Sequence, residues 1–213
     1  GDGNDTIYNN RGNDTIQFGE GITKDNIIFT GDIVNLVIRF TNSNDSITIE
    51  NCIGDENFVI ENFKFSDGTT LSYEEVKNLL VTKGTDGNDN IIGSNASEKI
   101  YGFGGDDTID ARNGNDTIYG GTGNDYIETG DGDDVVYAGH GNDYIYNFQG
   151  SDYIDGGDGD DTIVTRYEND TLVGGKGNDY FSDNLDGDEL FIFNLGDGND
   201  TIYNNRGNDT IQF

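Results

Sequence analysis

From residue 84 onward, large apolar side chains recur at a fixed spacing. Ile91, Ile100, Ile109, Ile118, Ile127, Val136, Ile145, Ile154, Ile163, Leu172, Phe181 and Leu190 stand nine residues apart. Each follows an acid by two places, the acids being Asp89, Glu98, Asp107, Asp116, Asp125, Asp134, Asp143, Asp152, Asp161, Asp170, Asp179 and Asp188. The pattern resumes at Asp200 and Asp209, and an earlier stretch supplies Asp5 and Asp14. A period of nine matches neither a helix nor a simple alternating strand. It marks repeating units that bury their apolar face only by stacking on one another. Residues such as Thr162-Ile163-Val164 make a short strand with one side chain inward, and a glycine-rich turn precedes each strand. Two units then close one 18-residue coil, and coils stack as parallel strands roughly 4.8 Å apart. The expected fold is all-β, a parallel β-roll with a thin ladder of Ile, Leu and Val between two sheets.

Residues 19–83 leave this register and carry more aromatic and β-branched residues and less glycine. Val34, Leu36, Ile38 and Phe40 alternate with Asn35, Val37, Arg39 and Thr41, which predicts a strand with one covered face. Ser46–Glu50 and Phe58–Phe65 read as further strands, followed by an Asp67-Gly68 turn. Ser72 with Glu75 is a capping box, so a helix is expected over Tyr73–Lys83, stopped by Gly84. The chain therefore divides into a repeat pair at 1–18, a β-rich insert ending in one α-helix at 19–83, and the roll at 84–213. The insert is expected to cover an open end of the roll, where unpaired strands invite aggregation.

A longer period is also present, since GDGNDTIYNNRGNDTIQF at 1–18 recurs unchanged at 196–213. The expectation is a parent protein with tandem units, of which this chain is one unit plus the start of the next. The initial Gly and the absence of Met fit a piece of something longer.

Charge changes the picture. The 213 residues include 42 acids, 11 Lys and Arg and 33 Gly, and carry a net charge of −31 with only 32 % apolar residues. Such a chain stays disordered unless something neutralises it. Phosphate backbones and anionic membrane surfaces would repel it, so neither nucleic acid nor membrane is an expected partner. No apolar run approaches the ~20 residues of a membrane-spanning helix, and no signal peptide is seen. Cys52 is alone, so it cannot form an internal disulfide and reads as a small buried hydrophobe.

The repeats themselves supply the neutralising chemistry. Units such as GGTGNDYIE (120–128), GGDGDDTIV (156–164) and GGKGNDYFS (174–182) place glycines where the backbone must turn tightly. Carbonyl oxygens then point into one small space, to which the Asp adds a carboxylate. A flexible all-oxygen turn suits Ca²⁺, whereas Mg²⁺ demands near-octahedral order. One His and one Cys cannot build a zinc site. Two edges of unequal quality follow from the 18-residue coil. On the first, Asp89, Asp107, Asp125, Asp143, Asp161 and Asp179 all have Gly in the fourth place of the unit, at Gly87, Gly105, Gly123, Gly141, Gly159 and Gly177. On the second, the fourth places are Ala96, Gly114, Gly132, Gly150, Glu168 and Asp186. A nearly full row of ions is expected on the first edge and a partial row on the second, best among Asp116, Asp134 and Asp152.

These units resemble the glycine-rich nonapeptide of RTX, or haemolysin-type, calcium-binding proteins, G-G-x-G-x-D-x-U-x. The resemblance implies a right-handed β-roll and ions held between neighbouring loops by both aspartates and by backbone carbonyls. By position, the ion between Asp125 and Asp143 would use Gly121, Gly123, Ala138 and His140, and the next would use Gly139, Gly141, Gly156 and Asp158. The same carry-over brings in Thr85, Gly87, Gly102, Phe103, Gly104, Gly105, Gly120 and Thr122 on one side and Gly157, Gly159, Gly174 and Lys176 on the other. On the second edge it brings in Arg112, Gly114, Thr129 and Asp131, and Asp200 is a further carboxylate. Arg166, Tyr167 and Glu168 depart from the pattern beside Asp170. About 5–8 Ca²⁺ are expected by this oxygen chemistry. The insert resembles the domain found between nonapeptide blocks in large haemolysin-type secreted proteins. The resemblance further implies type I secretion and a calcium-dependent structural module of a secreted or surface protein, adhesin-like or toxin-like.

The alternatives are an accessory module of a secreted enzyme or toxin, or a glycan- or surface-binding module. H-E-x-x-H and G-x-S-x-G motifs are absent, and His140 reads as a loop residue lending its carbonyl, so no catalysis is expected. Tyr119, Tyr126, Tyr137, Tyr144, Tyr146, Tyr153 and Tyr180 flank inward positions. They could stack on sugars, but filling cross-strand space is the favoured reading.

Overall fold

The computed structural model describes every residue except 1, 2, 10, 11, 33, 54–58, 184–186 and 205. The expectations for Phe58 and Asp186 therefore lie outside the described residues. Two compact units are formed, one by residues 1–82 and 94–98, the other by 83–93 and 99–213. No helix among the described residues is long and apolar enough to cross a membrane.

The second unit is a parallel β-solenoid. One sheet stacks Asn90–Ile92, Thr108–Asp110, Tyr126–Glu128, Tyr144–Tyr146, Thr162–Thr165, Tyr180–Asp183 and Thr201–Asn204. Facing it are Lys99–Gly104, Thr117–Thr122, Val135–His140, Tyr153–Asp158, Thr171–Lys176, Leu190–Ile192 and Thr210–Gln212. Ile109 pairs with Ile91 and Ile127, and Ile118 with Ile100 and Val136, as the 18-residue coil requires. The inward ladder from Ile91 to Phe191 is buried and continuous. Each such side chain contributes about 1.5–3 kcal/mol, so a core one residue wide leaves much of the fold to its turns.

The 18-residue register holds as far as Asp183 and lengthens after it. Leu172 pairs with Phe191, not Leu190, which is half-buried. The extra residue is absorbed between Asp183, still paired with Thr165, and Glu189. Phe191 fills the core at 1 % exposure and meets Phe181 edge to face at 5.5 Å, more apolar contact than Leu190 could make there. Asp188 is therefore not in the ligand position, and Glu189 takes its place.

Close stacking explains the glycines. A Cβ at Gly130 would lie 1.5 Å from the Arg112 carbonyl oxygen, and one at Gly141 would lie 1.8 Å from that of Gly123. Both turn positions have positive φ, yet Phe103 (76°), Arg112 (75°) and Glu168 (74°) occupy them without being glycine.

In the first unit, Ile27–Asp32 pairs antiparallel with Asn35–Phe40, which pairs antiparallel with Ser46–Glu50. Ser46–Glu50 also pairs in parallel with Asn4–Tyr8. Thr15–Gln17 pairs in parallel with Asn62–Lys64, which forms a hairpin with Thr70–Ser72 through the Asp67-Gly68 turn. Val37 is buried beside Leu36 and Ile38, so both faces of that strand are covered rather than one. Among the described residues of the expected Phe58–Phe65 strand, Asn62–Lys64 alone is extended in a ladder. The capping box forms as expected, but the helix ends at Lys77. Leu79 and Leu80 close the turn, Leu80 enters the core, and the β-branched pair Val81-Thr82 opens a strand to Lys83. Cys52 is fully buried in the same core.

Left-handed backbone disfavours a residue with a Cβ by about 1–2 kcal/mol. Glu168 has an exposed side chain, so Glu168→Gly should stabilise the calcium-loaded protein by about 1 kcal/mol, a rise of about 2–4 °C in Tm at this chain length. Calorimetry in excess calcium checks this, and an unchanged or lower Tm contradicts the strain.

Candidate metal centre

Each strand ends in a turn that delivers an Asp back toward the roll. The Oδ1 of that Asp accepts the backbone N–H of the Asp one coil earlier. On the first edge Asp89 N–H donates to Asp107, Asp107 to Asp125, Asp125 to Asp143, Asp143 to Asp161, and Asp161 to Asp179, all at 2.8–2.9 Å. Asp179 continues the ladder to Asp200 at 2.9 Å. The second edge repeats it from Asp116 to Asp134, Asp152 and Asp170.

The other carboxylate oxygen is the informative one. Oδ2 of Asp107, Asp125, Asp143, Asp161 and Asp179, and of Asp134 and Asp152, is buried without a hydrogen-bond partner. A Cβ on Gly102, Gly120, Gly156 or Gly174 would sit 2.5, 2.6, 2.4 or 2.2 Å from the Oδ2 of Asp107, Asp125, Asp161 or Asp179. The same hypothetical Cβ atoms on Gly102 and Gly120 would lie 2.3 and 2.5 Å from the carbonyl oxygens of Gly120 and Ala138. Each hollow is thus walled by carboxylate and carbonyl oxygen, with no proton donor inside. Leaving a buried carboxylate oxygen unpaired is costly, and a large cation that accepts many oxygens removes that cost. No three His, Cys, Asp or Glu side chains converge among the described residues. The donor set is accordingly one of paired aspartates and backbone carbonyls, which fits Ca²⁺.

Burial pushes these carboxyls upward, to about 6 for Asp143, Asp152 and Asp179, about 7 for Asp170, about 8 for Asp161 and about 9 for Asp134. Asp107 and Asp125 are raised for the same reason. The backbone N–H bonds work against this rise, and neighbouring acids add to it.

The remaining sequence-predicted residues fall into three groups. Phe103, Gly121, Gly139 and Gly157 stack in register, as do Gly104, Thr122, His140, Asp158 and Lys176. Carbonyls of Asp131, His140, Asp158 and Lys176 accept N–H bonds from Gly114, Gly123, Gly141 and Gly159 of the preceding coil, and that of Thr85 accepts one from Gly104 of the following coil. The side chains of His140 and Lys176 instead meet that of Asp158 at 3.3 and 2.6 Å on the surface. The first turn departs from the rest, because Asp89 Oδ2 accepts the backbone N–H and hydroxyl of Thr85 at 2.6 and 2.8 Å, beside Gly87. Glu98 is similarly supplied, by Ser94 N–H and the Thr82 hydroxyl, both at 2.5 Å.

On the second edge, Arg112 and Gly114 keep positive φ, but the first turn position carries side chains. Thr129 donates to Asn147 Oδ1 at 2.8 Å, and Asn147 donates to Asp170 Oδ2 at 3.1 Å. An amide thus serves the oxygen of Asp170 that stays unpaired in Asp134 and Asp152.

Sequence reasoning missed Asn147 and Glu189. It also missed an outer ladder in which Asn88, Asp106, Asn124, Asn142, Asp160 and Asn178 each accept the backbone N–H of the residue one coil later. The recurring Asn-Asp and Asp-Asp pairs were its visible signal.

Two outcomes follow. Asp143→Ala should lower both the calcium stoichiometry and the Tm, because it removes a buried, unpaired Oδ2 and the Oδ1 that holds the N–H of Asp125; calorimetric titration and melting read both, and unchanged values contradict the register. In excess chelator, carboxyls raised in the fold above their unfolded range near 3.8 favour the protonated fold. That contribution is complete below about 3.9 and is lost as pH rises through about 6 to 9. The β signal in circular dichroism should therefore grow on acidification without calcium, and a signal that falls as pH drops from 9 to 5 contradicts the burial.

The family described as the RTX calcium-binding nonapeptide repeat (4 copies) matches residues 1–22, 83–118, 111–145, 119–154, 146–181 and 192–211. The haemolysin-type calcium binding protein related domain matches residues 35–75, within the insert. No curated protein matches the chain. The repeats cover most of the chain, and with their hollows of unpaired aspartate oxygen they make it a member of the RTX calcium-binding nonapeptide repeat family.

Proposed function

We propose that this chain is a calcium-gated structural module of a large secreted or cell-surface bacterial protein, exported unfolded through a type I secretion system and without catalysis of its own. The carrying observation is the row of buried aspartate oxygens with no protein donor. Without cations the chain carries −31 and repels itself, which keeps it threadable. Site affinities of about 10⁻⁴–10⁻³ M, usual for extracellular modules, leave the hollows empty in the cytosol and filled outside. Because no formed site exists in the unfolded chain, the binding energy is folding energy. Asp134 and Asp152 on the second edge extend the row, and Thr85 at Asp89 and Asn147 at Asp170 bound it.

The tyrosines support a structural role over glycan recognition. Tyr101 and Tyr119 stack at 4.9 Å and 8°, Tyr119 and Tyr137 at 5.4 Å and 13°, and Tyr126 and Tyr144 at 5.4 Å and 7°. Each ring covers one face of its neighbour, which removes part of the surface on which a sugar would stack.

Calcium titration followed by circular dichroism is the test. A β-rich signal should appear cooperatively near millimolar calcium, and a full signal in excess chelator at neutral pH refutes gated folding.

A further inference from the structure

The identical segments 1–18 and 196–213 have different neighbours. In the second copy, Thr201–Asn204 and Thr210–Gln212 pair with the preceding coils, through Thr210 N–H to Glu189 O at 2.8 Å and Phe193 N–H to Gln212 O at 2.9 Å. In the first copy, Asn4–Tyr8 and Thr15–Gln17 pair with the insert, through Asn62 N–H to Asp14 O at 3.2 Å and Phe18 N–H to Lys64 O at 2.8 Å. Thr210 and Gln212 correspond to Thr15 and Gln17, while Asp14 and Phe18 correspond to Asp209 and Phe213. Alternate residues of a strand present their backbone groups to opposite sides, so the two copies use opposite sides of one strand.

The carboxylate ladder obeys the same division. Glu189 N–H donates to Asp209 Oδ1 at 2.9 Å, the step into the segment. Asp14 N–H donates to Glu61 Oε2 at 2.6 Å, the step out of it. Side chains agree as well. Phe18 is 6 % exposed and stacks on Phe65 at 4.9 Å, whereas Phe213 is 96 % exposed. Asn9 donates to the Val59 carbonyl, whereas its counterpart Asn204 turns to Asp209. Phe193, Leu195, Ile202, Ile211 and Phe213, together with Asp197 and Asp200, line a cleft of about 890 Å³ at this end.

We infer that residues 196–213 are a two-sided joint, whose outer side docks the insert, residues 19–83, of a second copy of this unit. Ser46–Glu50 and Asn62–Lys64 of that copy add in parallel to Thr201–Asn204 and Thr210–Gln212, Glu61 extends the ladder beyond Asp209, and Phe213 enters the place that Phe18 holds. Within one chain, residues 1–18 already fill their own insert and so block assembly between copies. Weakening that internal docking frees the insert to receive the joint of another copy, and a head-to-tail contact of this kind does not close on itself.

The test is sedimentation in excess calcium of the full chain carrying Ile7→Asp and Ile16→Asp, two side chains packed against the insert core. The wild type should be monomeric. The double variant should form open-ended oligomers that grow with concentration, dissolve on adding a peptide of residues 1–18, and vanish when Ile202→Asp and Ile211→Asp are added. A double variant that keeps its circular dichroism yet stays monomeric overturns the inference, as does a species that stops at two and ignores the peptide. Should the variant lose the insert's fold, a chain of residues 1–213 continued by 19–213 decides. Hydrogen exchange at the internal Phe213 N–H should slow at least about tenfold relative to the single unit, and an equal rate overturns the joint.

Discussion

The structure depends on carboxylate oxygens removed from water and left without a donor. In Asp107, Asp125, Asp143, Asp161 and Asp179, and in Asp134 and Asp152, one oxygen is held by backbone N–H and the other is buried with no protein proton to meet it. In an ordinary domain such an atom would be a defect. Repeated along an edge, it leaves a row of buried oxygens that positive charge from outside would satisfy. Burial raises these carboxyls for the same reason that it invites calcium, since protons and cations are alternative ways to remove one electrostatic cost.

That constraint organises the rest. The hollows form only if coils approach closely, and the approach needs glycine where a Cβ would strike the carbonyl of the neighbouring coil. The apolar ladder sets the 18-residue step, and the outer Asn and Asp ladder repeats it on the surface. Where a turn loses its chemistry, the protein supplies an internal donor instead: Thr85 for Asp89, Asn147 for Asp170, Ser94 and Thr82 for Glu98. The row of unpaired oxygens thus ends where hydrogen bonds from the protein begin.

The insert uses the same parallel pairing as the repeats, with Glu61 accepting the N–H of Asp14 as a ladder acid would. A segment can therefore serve the solenoid on one side and the insert on the other without changing its sequence, because the two demands fall on alternate backbone groups.

The nine-residue period, the parallel stacking and the aspartates that form the two carboxylate ladders were legible from the sequence because each is a local pattern repeated many times. The capping box of Ser72 and Glu75 and the strand Ser46–Glu50 were legible because each is set by residues a few places apart. The tertiary structure decided what depends on partners a coil or more away. It chose Glu189 over Asp188, because filling the core with Phe191 outweighs keeping the nine-residue count. It ended the helix at Lys77, because Leu80 is buried in the core and Val81-Thr82 is better spent in a strand. It paired Asn147 with Asp170, a contact across 23 residues that no spacing within one unit could announce. Sequence alone specified which oxygens gather at each turn; packing between coils determined which of them are left for a cation.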